Sequence, residues 1–423
     1  MDPYPRQYPS LATLVRRASL GPDIAPSVTT SDEICRWLLS EAISEKDLLP
    51  LLEALIWRMV AASIPIDRVT IHVGTLHPEL LGFYWHWNRA DHLVDELKVD
   101  WAGFDTERYK QSPLAKVIDG GQSFRASTDD QDMIDRYPLL ADLKAQGMHD
   151  YVIFPLGSGT SFHNAATLAT CCESGFSDSD MRDCRRILDI FALHVERQIV
   201  WRIAVNVVDT YLGAVAGKRV LSGEIRRGAG ESIRAIIWMS DLRGFSSLTD
   251  HLAGTDVITL LNEYFERLAS AVINHGGEIL KFIGDGLLAV FPVSTDVDER
   301  AAAAASLSAA EQALWDVDEL NRHPPEALNH ISGWRPLNSG IALHLGEVFF
   351  GNVGAAERLD FTVIGRAVNE VSRVEALTRQ LDRSVLITEP VAQLLDRKFE
   401  DMGLHQLRGL SSQVRLYSFL SDA

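Results

Sequence analysis

The chain has 423 residues and a formal net charge of −18, with 46% hydrophobic and 23% charged residues. That length predicts two or three domains, each large enough to bury its own core. An acidic surface repels phosphate backbones and anionic membranes, so we expect neither nucleic acid nor a membrane as a partner. Four cysteines without a CxxC spacing favour a reduced, cytoplasmic setting over a disulfide framework.

The first 200 residues predict a tail followed by a mixed domain. Residues 1–30 are rich in Pro, Ser and Thr, which indicates a flexible tail, and they lack the apolar run of a signal peptide. Amphipathic periodicity then predicts helices that begin at Ser31 and near residue 45. Further elements are expected in chain order: strands at 68–74, 82–88, 150–156 and 165–172, short helices at 112–119 and 137–146, and a long helix from about 176 to 208.

Strands in the middle of a segment with helices at its ends predict an α+β sensor domain over residues 31–200, and the element order is GAF-like. We expect this domain to bind an unidentified small ligand or signal. The aromatic run Phe83–Trp87, with Trp101 nearby, could line its pocket. Aromatic residues in strands, however, more often pack a core. Residues 201–230 are net basic, with turn residues at both ends, and predict a connector between domains.

A first chemical motif lies where a β-rich run ends in a carboxylate. Residues 232–241 end at Asp241, and the turn Leu242-Arg-Gly244-Phe245-Ser246 leads into a helical pattern. A carboxylate at a strand end can hold a hard cation, and the amides of a following helical turn can bind phosphate. An Asp before a helix is, however, more often a cap.

A second motif places another carboxylate in a hairpin. Lys281-Phe-Ile-Gly284-Asp285-Gly286 separates two apolar runs, which predicts two strands joined at Gly-Asp-Gly. Asp285 would lie beside Asp241 if their strands are neighbours, and paired carboxylates suit two Mg²⁺ ions. Alone, Asp285 could be an ordinary turn residue.

A third motif combines a strand with a helix. The run 358–364 breaks at Gly365 and passes into a helix that carries Asn369 and Arg373 four residues apart, on one face. An amide that orients a hydroxyl, beside a guanidinium that receives phosphate charge, would stabilise a phosphoryl-transfer transition state. In isolation such a pair is more often a surface Asn and a surface Arg of a helix.

The order DLRGFS, KFIGDG, GIALHLGEVFFGNVG and DFTVIGRAVNEVSRVE resembles the class III nucleotidyl cyclases over residues 231–423. The resemblance implies a ferredoxin-like α+β catalytic domain there, and residues 31–200 are similar to the N-terminal regions of some proteobacterial cyclases. Residues 201–230 correspond in position to a transducer element. Arg366 stands where many members have Asp, which we expect to affect regulation or packing rather than activity.

The resemblance also implies a role for each matched residue. Asp241 and Asp285 would hold two Mg²⁺ or Mn²⁺ ions, with the backbone carbonyl of Leu242 as a further ligand. Asn369 would orient the ribose and Arg373 would contact the α-phosphate. The remaining matches concern the triphosphate and the base: Gly244, Phe245 and Ser246 would hold the terminal phosphates, and Lys281 and Thr362 would read adenine.

We therefore expect an adenylate cyclase that converts ATP to 3′,5′-cyclic AMP and pyrophosphate under control of the N-terminal domain. A Lys donor suits the N1 acceptor of adenine and opposes the N1–H of guanine. The resemblance further implies a homodimer whose two active sites each combine residues of both chains. Two alternatives remain open at this point: a guanylate cyclase, and a catalytically silent cyclase-like sensor or scaffold.

Overall fold

The computed structural model describes residues 6, 8, 11–76, 80–101, 106–157, 164–331, 335–409 and 413–420. The chain divides into two compact units, residues 1–207 and 208–423, referred to below as the N-terminal and C-terminal units. Within the part of the chain that the structure describes, no helix is both long enough and apolar enough to cross a membrane.

The N-terminal unit is built on a seven-stranded antiparallel sheet with the strand order β1-β4-β3-β2-β7-β6-β5. Its strands are β1 (Ala12–Ala18), β2 (Arg68–Gly74), β3 (Leu80–Asn88), β4 (Leu93–Asp100), β5 (Phe124–Ser127), β6 (Asp150–Leu156) and β7 (Asn164–Thr170). Its helices are α1 (Ser31–Leu39), α2 (Leu48–Ala61), α3 (Glu107–Lys110), α4 (Pro113–Gly120), α5 (Gln131–Arg136), α6 (Leu139–Ala145) and α7 (Asp178–Leu212), the last of which continues past the boundary at residue 207.

Most of the predicted elements of this unit are confirmed. The strands 68–74 and 150–156 are observed with the predicted ends, and α1 begins at Ser31, with Thr30 and Glu33 forming a capping box. The prediction of a flexible tail over residues 1–30 is wrong for β1, which pairs with β4. The predicted strand 165–172 also ends early, so that Cys171 and Cys172 are exposed beyond it.

The two faces of this sheet differ in character. One face carries Val69, Ile71, Trp85 and Trp87 and packs on α1, α2 and the first half of α7 in the largest core of the unit. Part of the other face packs on α4 and α6 in a smaller apolar cluster that includes Tyr151. The run Phe83–Trp87 is therefore split by strand alternation, because its two tryptophans belong to the main core and Tyr84 and His86 point to the opposite face.

The C-terminal unit contains an eight-stranded mixed sheet in which β14-β15-β13-β11-β8-β10-β9 are successive neighbours and β12 pairs with the far end of β11. Its strands are β8 (Gly230–Leu242), β9 (Glu278–Ile283), β10 (Gly286–Pro292), β11 (Ser339–Ala355), β12 (Arg358–Ile364), β13 (Val385–Thr388), β14 (Glu400–Gln406) and β15 (Gln413–Ser418). Its helices are α8 (Ala214–Leu221), α9 (Phe245–Thr249), α10 (Gly254–Asn274), α11 (Glu299–Arg322), α12 (Arg366–Gln380) and α13 (Glu389–Ala392).

This sheet has an apolar core on each face. Strand alternation in β8 sends Ile236 and Trp238 towards α10 and α11, and Ala235 and Ile237 towards α8 and α12. The mixed α+β class predicted for the chain is confirmed in both units. The GAF-like assignment of residues 31–200 stays a prediction.

Candidate active site

The two predicted metal-binding aspartates lie side by side. Asp241 is near the end of β8, and β10 pairs with β8 so that Leu287 lies opposite Ser240. The turn that contains Asp285 therefore reaches the end of β8. Gly286 is required at this point because a Cβ there would come within 2.6 Å of the Ser240 carbonyl oxygen.

The two carboxylates influence each other electrostatically. Burial, together with the negative charge of Asp285, raises the pKa of Asp241 to about 6. The backbone N–H of Leu242 donates to Asp241 and opposes this shift. A bound cation would relieve the repulsion between the two acids, so the donor set fits a hard divalent ion.

A third acid lies near this pair. Glu375, on α12, lies over the strand position of Gly340, where an added Cβ would be 3.2 Å from its Oε1. Burial and the charge of Asp241 raise the pKa of Glu375 to about 7. Among the described residues, no group of three or more His, Cys, Asp or Glu side chains has the geometry of a metal site.

The turn after β8 is positioned by Arg243. Its guanidinium donates to the carbonyl oxygens of Thr378 and Arg383, at 3.1 and 2.5 Å, which ties the turn to the end of α12. Gly244 has a φ of 75°, a left-handed conformation that favours glycine, and precedes the five-residue helix α9. Ser246 is exposed and Phe245 is half-buried.

Lys281 and Thr362 lie on strands that are brought close to each other. The Lys281 Nζ donates to Asp360 at 3.4 Å, and Asp360 and Thr362 are two apart on β12, so both point to the same side. Thr362 is 5% exposed, and its Oγ1 has no hydrogen-bond partner among the described residues. A buried hydroxyl without a partner costs free energy unless a ligand satisfies it.

Asn369 and Arg373 lie on the outer side of α12. The inner side of this helix buries Val371, Val374 and Thr378 against the sheet, and helical spacing places Asn369 and Arg373 on the opposite side. Neither of these two side chains makes a hydrogen bond or ion pair to a residue that the structure describes. The Arg373 guanidinium lies beside Gly409, where an added Cβ would be 3.6 Å from it.

The structure thus brings together some of the predicted residues and separates others. Asp241 and Asp285 are neighbours, and Lys281 lies near the strand of Thr362, but in a single chain Asn369 and Arg373 face away from the aspartate pair. Arg366 is exposed and donates to Glu370 at 2.7 Å. Both residues belong to α12, so this contact lies within one helix.

Sequence reasoning did not identify Glu375, Asp360 or Arg243 as part of this region. Asp360 could have been found from its position two residues before Thr362 on a strand, which places both on one side. Glu375 and Arg243 reach the site only through the packing of α12, which the local sequence does not reveal.

Residues 231–421 match the family profile of the adenylate and guanylate cyclase catalytic domain. The match spans β8 to β15 and contains every site residue described above. This C-terminal region belongs to the class III nucleotidyl cyclase family. The resemblance inferred from the four motifs is therefore confirmed.

Several proteins with a similar sequence are named as adenylate cyclases. An adenylate cyclase of Anabaena cylindrica is 33% identical over 190 residues, which cover 45% of this chain and 36% of the relative. A photoactivated adenylate cyclase subunit alpha of Euglena gracilis is 29% identical over 199 residues, which cover 47% of this chain and 18% of that relative. The chain thus spans well under half the length of these relatives.

Solved cyclases are similar to part of this chain. The adenylyl cyclase CyaB from P. aeruginosa is 25% identical, with a TM-score of 0.41, and the match covers 46% of this chain and 97% of that one. A bacterial light-regulated adenylyl cyclase is 32% identical, with a TM-score of 0.38, and the match covers 45% of this chain and 91% of that one.

Proposed function

We propose that this protein is an adenylate cyclase, which converts ATP to 3′,5′-cyclic AMP and pyrophosphate. The observation that carries the proposal is the contact between Asp241 and Asp285 inside a class III cyclase domain. Two acids held together at a strand end form a costly arrangement that a cation-dependent reaction would explain.

The aspartate pair would hold Mg²⁺ or Mn²⁺, with the Leu242 carbonyl as a further donor. When bound, two such ions supply charge neutralisation for the triphosphate and activation of the ribose 3′-hydroxyl. The chain's own contribution is to fix the two carboxylates on paired strands. The turn Gly244–Ser246 would orient the β- and γ-phosphates, and Arg243 holds that turn in place.

The remaining groups would bind the base and the reacting phosphate. The unpartnered Oγ1 of Thr362 and the Nζ of Lys281 would contact adenine, and their chemistry favours ATP over GTP. Asn369 would orient the ribose, and Arg373 would stabilise charge that develops at the α-phosphate. The residues identified here include no side chain assigned as a general base.

The placement of α12 supports a composite site. Asn369 and Arg373 lie on the side of α12 that faces away from the sheet, whereas Asp241 lies on the sheet beneath this helix. One chain therefore leaves the two sets apart, and a second copy would complete the site. We propose a homodimer with two equivalent active sites, with activity controlled by the N-terminal unit.

The direct test is incubation of the purified full chain with Mg²⁺ or Mn²⁺ and either ATP or GTP. We expect cyclic AMP, detected by chromatography, and far less cyclic GMP. Cyclic GMP as the main product would overturn the assignment of adenine specificity to Lys281 and Thr362. Absence of product from both nucleotides, with the dimer verified by sedimentation, would favour a silent cyclase-like scaffold.

A mixing experiment tests the composite site. Asp285→Ala and Asn369→Ala should each be inactive, whereas a mixture that forms heterodimers should recover roughly a quarter of wild-type activity, because half of the dimers contain one intact site. Heterodimer formation without recovery would show that both sets act within one chain.

A further inference from the structure

The polar face of the N-terminal sheet contains an enclosed but still accessible guanidinium that has no partner among the described residues. Arg68, at the start of β2, is surrounded by protein on nearly every side, and burial lowers its pKa. Its side chain makes no hydrogen bond or ion pair to any residue that the structure describes. A charge that loses part of its hydration without gaining a partner is unfavourable for folding.

The nearest buried acid on this face is already occupied. Asp95 accepts hydrogen bonds from the Arg17 Nε and Nη2, at 2.5 and 2.9 Å, and from Arg6 at 3.3 Å. The hydroxyl of Tyr8 also donates to it. Asp95 is therefore neutralised by other residues and leaves the charge of Arg68 uncompensated.

The surroundings of Arg68 form a recess. Strand register places Thr70, His72, Tyr84 and His86 on the same face as Arg68. His72 and His86 are deeply enclosed, yet Arg68 and both histidines keep some accessible surface. Groups that are surrounded by protein but still accessible line an internal space rather than an outer surface.

The recess offers more than one kind of contact. His72 stacks on Tyr84, with ring centroids 5.6 Å apart and an interplanar angle of 13°. Burial lowers the pKa of His72 to about 3, so the ring is neutral. The Nε2 of His86 is buried without a hydrogen-bond partner in the described chain, and the ring of Tyr8 packs edge-on against His86 with centroids 6.3 Å apart.

We propose that this recess binds a small organic anion, with a carboxylate or phosphate group on Arg68 and a flat group beside His72 and Tyr84. Guanidinium pairs with either oxyanion by two parallel hydrogen bonds, and the flat rings complement an aromatic or planar ligand. The anion would supply the counter-charge that Arg68 lacks. The site is independent of the cyclase reaction.

Calorimetry on the full-length protein tests this proposal with defined probes. Benzoate, acetate and inorganic phosphate would each be titrated, with benzamide as the uncharged match to benzoate. We expect saturable binding of benzoate at one site per chain, at least about tenfold tighter than benzamide. Tighter binding of phosphate than of benzoate would keep the anion site and identify phosphate as its preferred group.

Variants of Arg68 decide whether the charge is responsible. Arg68→Met should abolish the preference for benzoate over benzamide, and Arg68→Lys should retain part of it. Arg89→Met, at an exposed arginine one residue beyond β3, should bind as the wild type does. Failure of all three anions to bind, or equal binding to Arg68→Met, would overturn the proposal.

Stability gives a second readout that needs no ligand. An unpaired buried charge is unfavourable, so ligand-free Arg68→Met should melt at the same temperature as the wild type or higher. If Arg68→Met failed to fold while Arg68→Lys folded, the charge would have a structural role in the free protein, and the proposal would be wrong.

Discussion

Each of the two units contains a partly enclosed charge that has no ion pair with any residue the structure describes, and the two charges have opposite signs. In the C-terminal unit Asp241 and Asp285 repel each other. In the N-terminal unit Arg68 is enclosed, and none of the described acids pairs with it. Because folding disfavours both arrangements, each is best explained by a ligand of the complementary sign, a metal in one case and an anion in the other.

The N-terminal unit also contains the opposite situation. Asp95 is as deeply buried as any charged residue described, yet it is bonded to Arg6, Arg17 and Tyr8. Burial alone therefore does not identify a binding site. The presence or absence of a partner distinguishes a structural charge from a ligand-binding one, and substitutions should move stability in opposite directions in the two cases.

The largest effect is expected for Asp285→Asn. Loss of one metal ligand should lower cyclic AMP formation at least about 100-fold, because several kcal/mol of charge stabilisation are lost. Removal of the repulsion on Asp241 should at the same time raise the melting temperature of the metal-free protein by roughly 2–4 °C, the shift expected for about 1 kcal/mol. Activity assays and calorimetry measure the two effects.

Asp318→Asn is the matched control for that variant, because Asp318 lies in an exposed pair with Arg322 on α11. It should change neither quantity by much. A metal-free Asp285→Asn protein that melts at a lower temperature than the wild type would mean that Asp285 has structural partners, and the contrast with Asp95 would then fail.

Asp95→Asn should have the largest effect on stability alone. Its removal weakens the pairing of Arg17 and of Arg6, which keeps its pair with Asp91, so we expect a loss of about 1–3 kcal/mol in the free energy of unfolding. Urea denaturation of the full chain measures it. The control Asp32→Asn removes an exposed pair with Arg186 and should cost about 0–1 kcal/mol. Similar losses in both variants would contradict a structural role for the Asp95 network.

The sequence predicted the C-terminal site better than the N-terminal one for a physical reason. Asp241 and Asp285 belong to local motifs in which a turn follows a strand, so spacing alone placed each at a strand end. Arg68 has no such motif. Its significance depends on which acids lie nearby after folding, and Asp95 is 27 positions away on a strand that was not predicted.

The missed strands show the same limit. β4 carries Asp95 and Glu96, both buried, and β1 carries Arg16 and Arg17, so neither strand has the apolar alternation on which strand prediction depends. The two strands are held together by ion pairs between Arg16 and Glu96 and between Arg17 and Asp95. Such pairs become visible only in three dimensions. In contrast, β2 and β6 were predicted with correct ends because apolar β-branched residues fill them.

The carboxylate of Glu278 is a third partly buried charge, and a single hydrogen bond compensates it in part. One of its carboxylate oxygens is buried without a partner, while the group accepts a hydrogen bond from the Ala216 N–H. Burial raises its pKa to about 7, from 4.5 in the unfolded chain. The folded protein therefore binds more protons between these two values, and the stability contributed by this group falls as the pH rises through that window.

Glu278→Gln should remove that dependence. We expect the free energy of unfolding to rise on the order of 1 kcal/mol at pH 8 and to change little at pH 4.5, after allowance for the partial exposure of the side chain. Denaturation at both pH values measures the difference, with the exposed Glu266→Gln as control. An equal effect of Glu278→Gln at both pH values would show that its carboxyl does not titrate in this range.

The smallest effect is expected for an uncharged group without a partner, the hydroxyl of Thr362. Thr362→Val keeps the shape of the side chain and removes a hydroxyl that has no partner in the described chain. If that hydroxyl binds adenine, the KM for ATP should rise about three- to fivefold with little change in kcat, the loss expected for one neutral hydrogen bond. The melting temperature of the free protein should not fall, because the substitution removes a buried hydroxyl that makes no hydrogen bond in the free protein. Thr255→Val, at an exposed position on α10, should change neither value. An unchanged KM together with a higher melting temperature would mean that the hydroxyl is an unsatisfied group without a ligand, and that lack of a partner marks a binding site only where a full charge is involved.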